Sequence, residues 1–525
     1  MIHNPVLVNG DWREANFPVS SFKAVNPNTG KQLKDSFPVS SFLDIDEMLQ
    51  NHASSLDQIE AITPEKRSEF LLLIANELLS KQKDLIETAF EETGLDKKHV
   101  LTDSEFMQTL ARLKEAASFC LNRTWSDISI DRQNNIRSRR KALSGPVAIF
   151  GPSSSPFLYN SCVGINFSAA IAAGNAVMAK GNPNHPMTSL KLAQIVDSAR
   201  KKLNLPAVLF QYFHHTTHDL GYRLAAHPLL GAFSFTGSFR CGIALKENVD
   251  RSGNPGFFEM GTASPVFLLP DAVAERKVDL GHELTRAALT RNGQSCLKPG
   301  IAFLVENKDS SQLIKSTVEL FSNNPTQPML TDVLARNLDT QIANFIRMGA
   351  RKLTKREFYA PNPFVFPNTV LLIDAKSFFK HPRLFQEELF GPVLVFVTLE
   401  KKEDFARIAH NLDGCIAASI FHNEAGDENQ YYRQLKKEIA RKSGRIVINR
   451  FANQSALSNA MAQSGPFPAS GTPTFSSTYF PDAIRRFTAL ECYENAEQCF
   501  LPQDLRDTPP GNGTMRMIDG LLSSD

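Results

Sequence analysis

What this 525-residue sequence lacks narrows its reading before any motif is considered. It has few cysteines, seven in all, at 120, 162, 241, 296, 415, 492 and 499. The count is odd and no pair is spaced C-x-x-C, so the set reads as reduced and cytoplasmic rather than as a disulfide framework. It has no charge excess. The net charge of +2 gives no reason to expect nucleic acid or an anionic membrane as partner. No apolar stretch approaches the ~20 residues that cross a bilayer. Residues 1–12 show no basic segment followed by an apolar run, so no secretion signal is expected there. No G-x-S-x-G frames Ser153–Ser155, which argues against a serine nucleophile. A complete G-x-G-x-x-G is also missing. His214, His215 and His218 fall in one loop with no acidic or cysteine companion nearby, which argues against zinc.

What is present has the balance of an ordinary globular protein, 42% apolar and 21% charged, and the length of two to four domains. Phe-Pro-Val-Ser-Ser-Phe occurs at 17–22 and again at 37–42. Two copies cannot build a repeat architecture. They read as strand ends in a β-rich arm, with Asn26-Pro-Asn-Thr-Gly30 as the turn between. Residues 44–121 turn helical; Thr63-Pro64-Glu65 is a helix start and Gly94 a helix end. Residues 124–142 alternate apolar and polar and then carry Arg137, Arg139, Arg140 and Lys141. They form either an arm that leaves the main body or a solvated surface hairpin.

From 145 onward strands and helices alternate. Strands are expected at 146–150, 175–180, 207–213 and 231–235, and helices at 157–173, 187–203 and 218–226. A second run from about 265 to 460 has helices near 272–289, 310–322 and 332–348, with strands at 393–397, 415–421 and 444–449. The pattern predicts an α/β fold with parallel sheets covered on both faces. Ligands bind such sheets at the carboxyl ends of the strands, which places Ser153–Ser155, Lys180 and Thr236-Gly237-Ser238 at one mouth. Residues 502–525 are rich in Pro, Gly and polar residues and read as a loosely packed or disordered tail.

Four stretches carry chemistry. Thr290-Arg-Asn-Gly-Gln-Ser-Cys-Leu-Lys-Pro-Gly300 holds one cysteine, Cys296, in a loop broken by Gly293, Pro299 and Gly300. Arg291 and Lys298 are the cations that would favour its thiolate. The alternative is an inert loop cysteine. Phe257-Phe-Glu-Met-Gly-Thr262 sets Glu259 among apolar residues, where a carboxylate needs a partner or a task; a salt-bridged core residue is the other reading. Thr236-Gly-Ser-Phe-Arg-Cys-Gly242 opens a helix and could hold phosphate on free N–H groups. Gln386-Glu-Glu-Leu-Phe-Gly-Pro392 sets two further carboxylates before a turn.

Together these segments resemble the NAD(P)-dependent aldehyde dehydrogenase superfamily over about residues 6 to 500. The marks are Asn-Gly-Gln-Ser-Cys296, Phe-Phe-Glu259-Met-Gly, Phe-Thr-Gly237-Ser238, Val-Met-Ala-Lys180 and Glu387-Glu388-Leu-Phe390-Gly-Pro, in the family's order. Lys180-Gly-Asn-Pro-Asn-His-Pro186 and Ser464-Gly-Pro-Phe-Pro-Ala469 are most similar to the branch of α-ketoglutarate semialdehyde (2,5-dioxopentanoate) dehydrogenases and a bacterial long-chain fatty aldehyde dehydrogenase. The resemblance implies Cys296 as nucleophile, Glu259 as the base that activates water, and an oxyanion donor at Ser154. It implies that Lys180 and Glu388 hold the cofactor's two riboses, with Phe390 against one of them and Gly237 and Ser238 by the pyrophosphate. It further implies NADP or NAD as cofactor, a small-molecule aldehyde as substrate, and a homodimer or homotetramer. The implied domains are a cofactor-binding domain (1–123 and 143–262), a catalytic domain (263–475), an oligomerisation arm (124–142 and 476–500) and a tail (501–525).

Three departures from the family pattern stand out. Ser154 occupies the oxyanion position that usually carries Asn. Gln463 lies in a segment where the branch commonly has His. Ser295 and Leu297-Lys298 flank the cysteine, where Phe and Thr-Asn are commoner. Either an active enzyme or a cofactor-binding scaffold with impaired catalysis fits these departures. Pro183 lies where a glutamate would hold the 2′-hydroxyl of NAD, so NADP is permitted. A semialdehyde would need a cation for its distal carboxylate, and Arg291 is available; a fatty aldehyde would need an apolar tunnel.

Overall fold

Two seven-stranded sheets position the site. The structure is a computed structural model that describes residues 4–355, 362–423, 429–477, 480–508, 511 and 514–524. The first sheet runs, from one edge to the other, Gly256–Met260, Ala232–Gly237, Val147–Phe150, Val177–Lys180, Phe210–Phe213, Val6–Val8 and Asp11–Arg13. Its first five strands are parallel, and the N-terminal hairpin closes the far edge antiparallel. The chain order reverses at Val147–Phe150, so a ligand crevice is expected beyond that strand's carboxyl end. The Val147–Phe150 strand is buried throughout, which is why it reads as an unbroken apolar run.

The second sheet runs Arg351–Lys352, Thr369–Asp374, Val393–Leu399, Pro299–Val305, Ser264–Leu268, Cys415–Phe421 and Ser443–Ile448. It is parallel except at Arg351–Lys352. Apolar side chains such as Phe267, Phe303, Phe345 and Phe378 fill one of its faces.

Helix starts and stops follow local chemistry. The Thr63 hydroxyl accepts the N–H of Lys66 at 3.3 Å and opens helix Pro64–Ser80. Gly94, at φ +66°, closes helix Gln82–Thr93. The repeated hexapeptide pairs with itself: Ser20–Phe22 lies antiparallel to Phe37–Val39.

Two expectations need correction. The helix expected over 157–173 begins only at Ile165. Polar side chains divert the preceding N–H groups: the Glu105 carboxylate accepts those of Phe157 and Leu158, and Asn160 accepts that of Cys162. The tail is also not loose in its described residues. Met515–Ile518 pairs parallel to Ile128–Asp131 and turns back into Leu521–Ser524. The turn is Asp519-Gly520, both at positive φ (48° and 84°), a two-residue hairpin signal present in the sequence. Asp519 also accepts from Arg132 at 2.8 Å. These strands extend a five-stranded sheet in which Thr488–Glu494 pairs with Ile136–Ala142 along its whole length. The basic run is neutralised there: Arg139 meets Glu491 at 2.8 Å and Asp504 at 2.7 Å.

Candidate active site

The turn after strand Val147–Phe150 is held from three sides. Below it lies Glu105, 1% exposed, on a π-helical segment Lys97–Phe106. Its carboxylate accepts the hydroxyl of Ser155 at 2.7 Å and the N–H groups of Phe157 and Leu158. It also ion-pairs Arg291 at 2.7 Å. Behind the turn, the Asn182 amide donates to the Gly151 carbonyl at 3.0 Å, and a His185 ring nitrogen lies 3.3 Å from the Pro152 carbonyl. In front, Arg291 donates to the Ser154 carbonyl at 3.1 Å. The backbone of Ser154 is therefore fixed while its hydroxyl makes no hydrogen bond to any described residue.

The thiol loop is just as constrained. Arg291, Asn292 and Gly293 all have positive φ (57°, 53° and 67°). Two of these are not glycine, so the surroundings must enforce a conformation that L-residues avoid. The Asn292 amide donates to Gln327 O at 2.9 Å, and Leu330 N–H donates to the Gln294 side chain at 2.8 Å. A Cβ on Gly293 would collide with the Gly391 carbonyl, so glycine is what lets this loop touch the 386–392 stretch. Cys296 is half-buried, and Ser264 donates to its carbonyl at 3.1 Å. Burial pushes the thiol up to about 12, the negative charges of Glu388 and Glu259 add to this, and Arg291 opposes it.

Glu259 stands on the edge strand Gly256–Met260. Thr236 donates to one carboxylate oxygen at 3.1 Å and Arg486 to the other at 3.0 Å. Arg486 is 4% exposed and also donates to Asn166 at 2.6 Å. Ser470 bridges the strand at Glu259, and Met260 N–H donates to Ala469 O. The C-terminal part of the chain therefore clamps this carboxylate in place. Beside it, burial and the charges of Glu259 and Cys296 hold the Tyr159 phenol well above its ordinary value, so it stays protonated.

A second group of charges lies toward the sheet mouth. Lys180 ends strand Val177–Lys180, with its ammonium 5.0 Å from the Phe150 ring centre. It has no carboxylate within 4 Å among the described residues, and burial pushes it down to about 8. Gly237 ends strand Ala232–Gly237; a Cβ there would press to 2.6 Å on the Phe235 ring. Ser238 caps helix Phe239–Ser252, whose first N–H groups face outward from the strand end. Burial pushes Glu388 up to about 7, opposed by Lys298, and its carboxylate fills the space a Cβ on Gly261 would take. Burial likewise pushes Lys298 down to about 7; it donates to the Val393 carbonyl at 2.6 Å. Phe390 packs half-buried against the apolar core of the first sheet. A cation without a carboxylate, an open helix start and a glycine-lined approach fit a dinucleotide with ribose hydroxyls and a pyrophosphate.

Sequence reasoning named Cys296, Glu259, Ser154, Lys180, Gly237, Ser238, Glu388, Phe390 and Arg291. It missed Glu105, Tyr159, Arg486 and the buttress from Asn182 and His185. Only the Asn-Pro-Asn-His run carried a usable signal, being too polar for a simple strand-to-helix link. Arg291, read as available for a substrate carboxylate, has its charge matched by Glu105. His214 is a core residue: it lies 3.1 Å from the Tyr212 hydroxyl and 3.1 Å from the Pro5 carbonyl, and burial pushes it down to about 3.

The profile of the Aldehyde dehydrogenase family matches residues 12–488. Alpha-ketoglutaric semialdehyde dehydrogenase 2 of Azospirillum brasilense is 27% identical over 505 residues, covering 93% of this chain and 94% of that protein. Among solved structures, a variant of aldehyde dehydrogenase C from Pseudomonas syringae in complex with NAD+ and octanal superimposes with a TM-score of 0.80 at 18% identity, covering 94% of this chain and 98% of the other. The NADP complex of an NADP-dependent glyceraldehyde-3-phosphate dehydrogenase from Bacillus halodurans gives 0.78 at 18% identity, covering 94% and 100%. No helix among the described residues is long and apolar enough to cross a membrane. With the profile spanning nearly the whole chain and the fold shared throughout, this protein belongs to the aldehyde dehydrogenase family.

Proposed function

We propose that the chain oxidises a semialdehyde such as 2,5-dioxopentanoate to the corresponding dicarboxylic acid with NAD or NADP. The observation that carries the reading is the thiol of Cys296 lying within the field of an anchored carboxylate, Glu259, beside a fixed turn whose Ser154 hydroxyl is uncommitted. The name of the Azospirillum relative supports the substrate class. Lys180, Gly237, Ser238, Glu388 and Phe390 would hold the cofactor, and Pro183 offers no carboxylate to repel a 2′-phosphate.

In this reading the Cys296 thiol passes its proton to water and its sulfur bonds to the aldehyde carbon as the carbonyl π pair moves to oxygen. The Ser154 hydroxyl and the Cys296 backbone N–H meet the alkoxide that forms; such donors act best when already in place. NAD or NADP, when bound, supplies the hydride acceptor. Collapse of the alkoxide leaves the acyl group on sulfur as a thioester. Glu259 then takes a proton from water as the hydroxyl attacks the acyl carbon, and the C–S bond breaks to release acid and thiol. Thr236 and Arg486 hold Glu259 for that step.

The assembly proposed is a homodimer or homotetramer formed through the five-stranded sheet, where Leu490, Leu521 and Leu522 are 72%, 75% and 66% exposed. Light scattering at micromolar concentration should give at least a dimer mass; a monomer would overturn this part. The function is tested by turnover of purified protein with NAD and with NADP against short semialdehydes and long-chain aldehydes. Highest kcat/KM on a semialdehyde is expected. Preference for octanal-like substrates would make it a fatty aldehyde dehydrogenase, and cofactor binding without turnover would make it an impaired scaffold.

A further inference from the structure

Three arginines belong to the elements that build the site, and two are already matched by carboxylates. Arg291 is on Glu105 at 2.7 Å and Arg486 on Glu259 at 3.0 Å. The third, Arg445, is different. It sits on strand Ser443–Ile448, the edge of the second sheet, opposite Ala417 of the neighbouring parallel strand. Side chains two apart on a strand share a face, so Arg445 stands on the same face as Val447. That face meets the thiol loop: Ala417, Val447 and Ala452 form an apolar cluster against which Leu297, the residue after Cys296, packs.

Arg445 has no carboxylate within 4 Å among the described residues. One terminal nitrogen donates to the Ala452 carbonyl at 3.0 Å and the other lies 2.7 Å from the Met461 sulfur. Its Nε is buried without a partner. A thioether is a weak acceptor, and a half-buried guanidinium is better matched by a carboxylate in fork geometry. Burial lowers its pKa and the charges of Cys296 and Tyr159 oppose this, in keeping with the packing of Leu297 against its face of the strand.

We infer that Arg445 is the anchor for the distal carboxylate of an ω-oxo acid whose aldehyde carbon is presented to Cys296. This rests on the semialdehyde reading above and assigns its recognition element. The same site would disfavour a purely apolar aldehyde, because the half-buried guanidinium would then face it without an ionic partner.

The experiment compares 5-oxopentanoate with its methyl ester, an isostere without the charge, in the wild-type protein, Arg445→Met and Arg445→Lys. The ratio of kcat/KM for acid over ester should fall roughly 10–100-fold in Arg445→Met, carried by KM for the acid, since one charge-assisted contact is lost. Arg445→Lys should recover part of the ratio, because it keeps the charge without the fork. An unchanged ratio in Arg445→Met, or equal losses on acid and ester, overturns the proposal and leaves the dehydrogenase reading intact. A binding readout separates the two. Titration calorimetry with glutarate should show binding to wild type at least ~10-fold tighter than to Arg445→Met. If neither aldehyde turns over while glutarate binding still depends on Arg445, the anchor stands and the catalytic reading falls. If glutarate does not bind, or binds both proteins equally, the anchor is overturned.

Discussion

The two walls of the cleft treat charge in opposite ways. On the thiol wall the chain satisfies itself: Glu105 holds Arg291, and Arg486 together with Thr236 holds Glu259. Toward the sheet mouth, Lys180 has only a backbone carbonyl, at 3.3 Å, and the Glu388 carboxylate accepts no hydrogen bond from a described residue; Lys298, two residues after the thiol, also has only a carbonyl, at 2.6 Å. Burial of an unmatched charge is unfavourable, and a shifted pKa reports it: Lys180 falls to about 8 and Glu388 rises to about 7. In the function proposed above, matched charges position the reacting groups and unmatched ones take up a ligand. Arg445 and Lys298 are the exceptions beside the thiol, and Arg445 is the one proposed above as a binding group.

The sharpest way to break this comparison is Cys296→Ala. We expect no measurable aldehyde oxidation and an unchanged cofactor dissociation constant by fluorescence titration, because Cys296 is not among the residues proposed to hold the cofactor. Residual dehydrogenase activity would remove Cys296 from its role.

Arg486→Met tests whether matched charge positions the base. It leaves Glu259 with one anchor, and breaking a buried pair destabilises by ~3–5 kcal/mol, which thermal unfolding would register. Loss of the base's geometry should slow thioester hydrolysis ~10²-fold or more, so that NAD(P)H forms in a burst followed by a slow steady rate. A variant that unfolds earlier yet turns over without a burst would make Arg486 purely structural.

The thiol itself gives a pH test. A group pushed up to about 12 is protonated at neutral pH, so its thiolate fraction rises tenfold for each unit of pH. Peptide-resolved iodoacetamide labelling of Cys296 in cofactor-free protein should accelerate ~100-fold from pH 7 to 9 with no plateau. A plateau near pH 8 would mean that Arg291 outweighs burial.

Lys180→Ala tests the unmatched wall. Losing a charged donor to ribose hydroxyls should weaken cofactor binding roughly 10–100-fold while Cys296 labelling stays the same. Unweakened binding would mean that the unpaired lysine serves something other than the cofactor.

The smallest effect expected is a gain. Ser154→Asn should raise single-turnover NAD(P)H formation up to ~10-fold, since an amide reaches farther than a hydroxyl, and one oxyanion donor is worth ~10²–10³. Because Arg291, Asn182 and His185 fix this turn, the longer side chain has a settled backbone to extend from. An unchanged or lower rate would mean that Ser154 is matched to its own substrate or lies outside the oxyanion hole.

The sequence by itself determined the α/β alternation and most helix boundaries, and it named the candidate site residues, chiefly through a family resemblance. These depend on local rules: apolar periodicity, Thr63 and Gly94 as helix signals, and breakers around Cys296. A more careful local reading would also have found the Asp519-Gly520 hairpin. Only the tertiary structure decided which charges are matched. Glu105 and Arg291 are 186 residues apart and Glu259 and Arg486 are 227 apart, and nothing in either neighbourhood names its partner. Glu105 also cuts short the helix expected at 157, a tertiary hydrogen-bond choice that overrides local propensity. A charge's role depends on what lies within a few ångströms of it. Spacing along the chain fixes that distance only inside a helix or strand, so the pairing of the two walls had to wait for the fold.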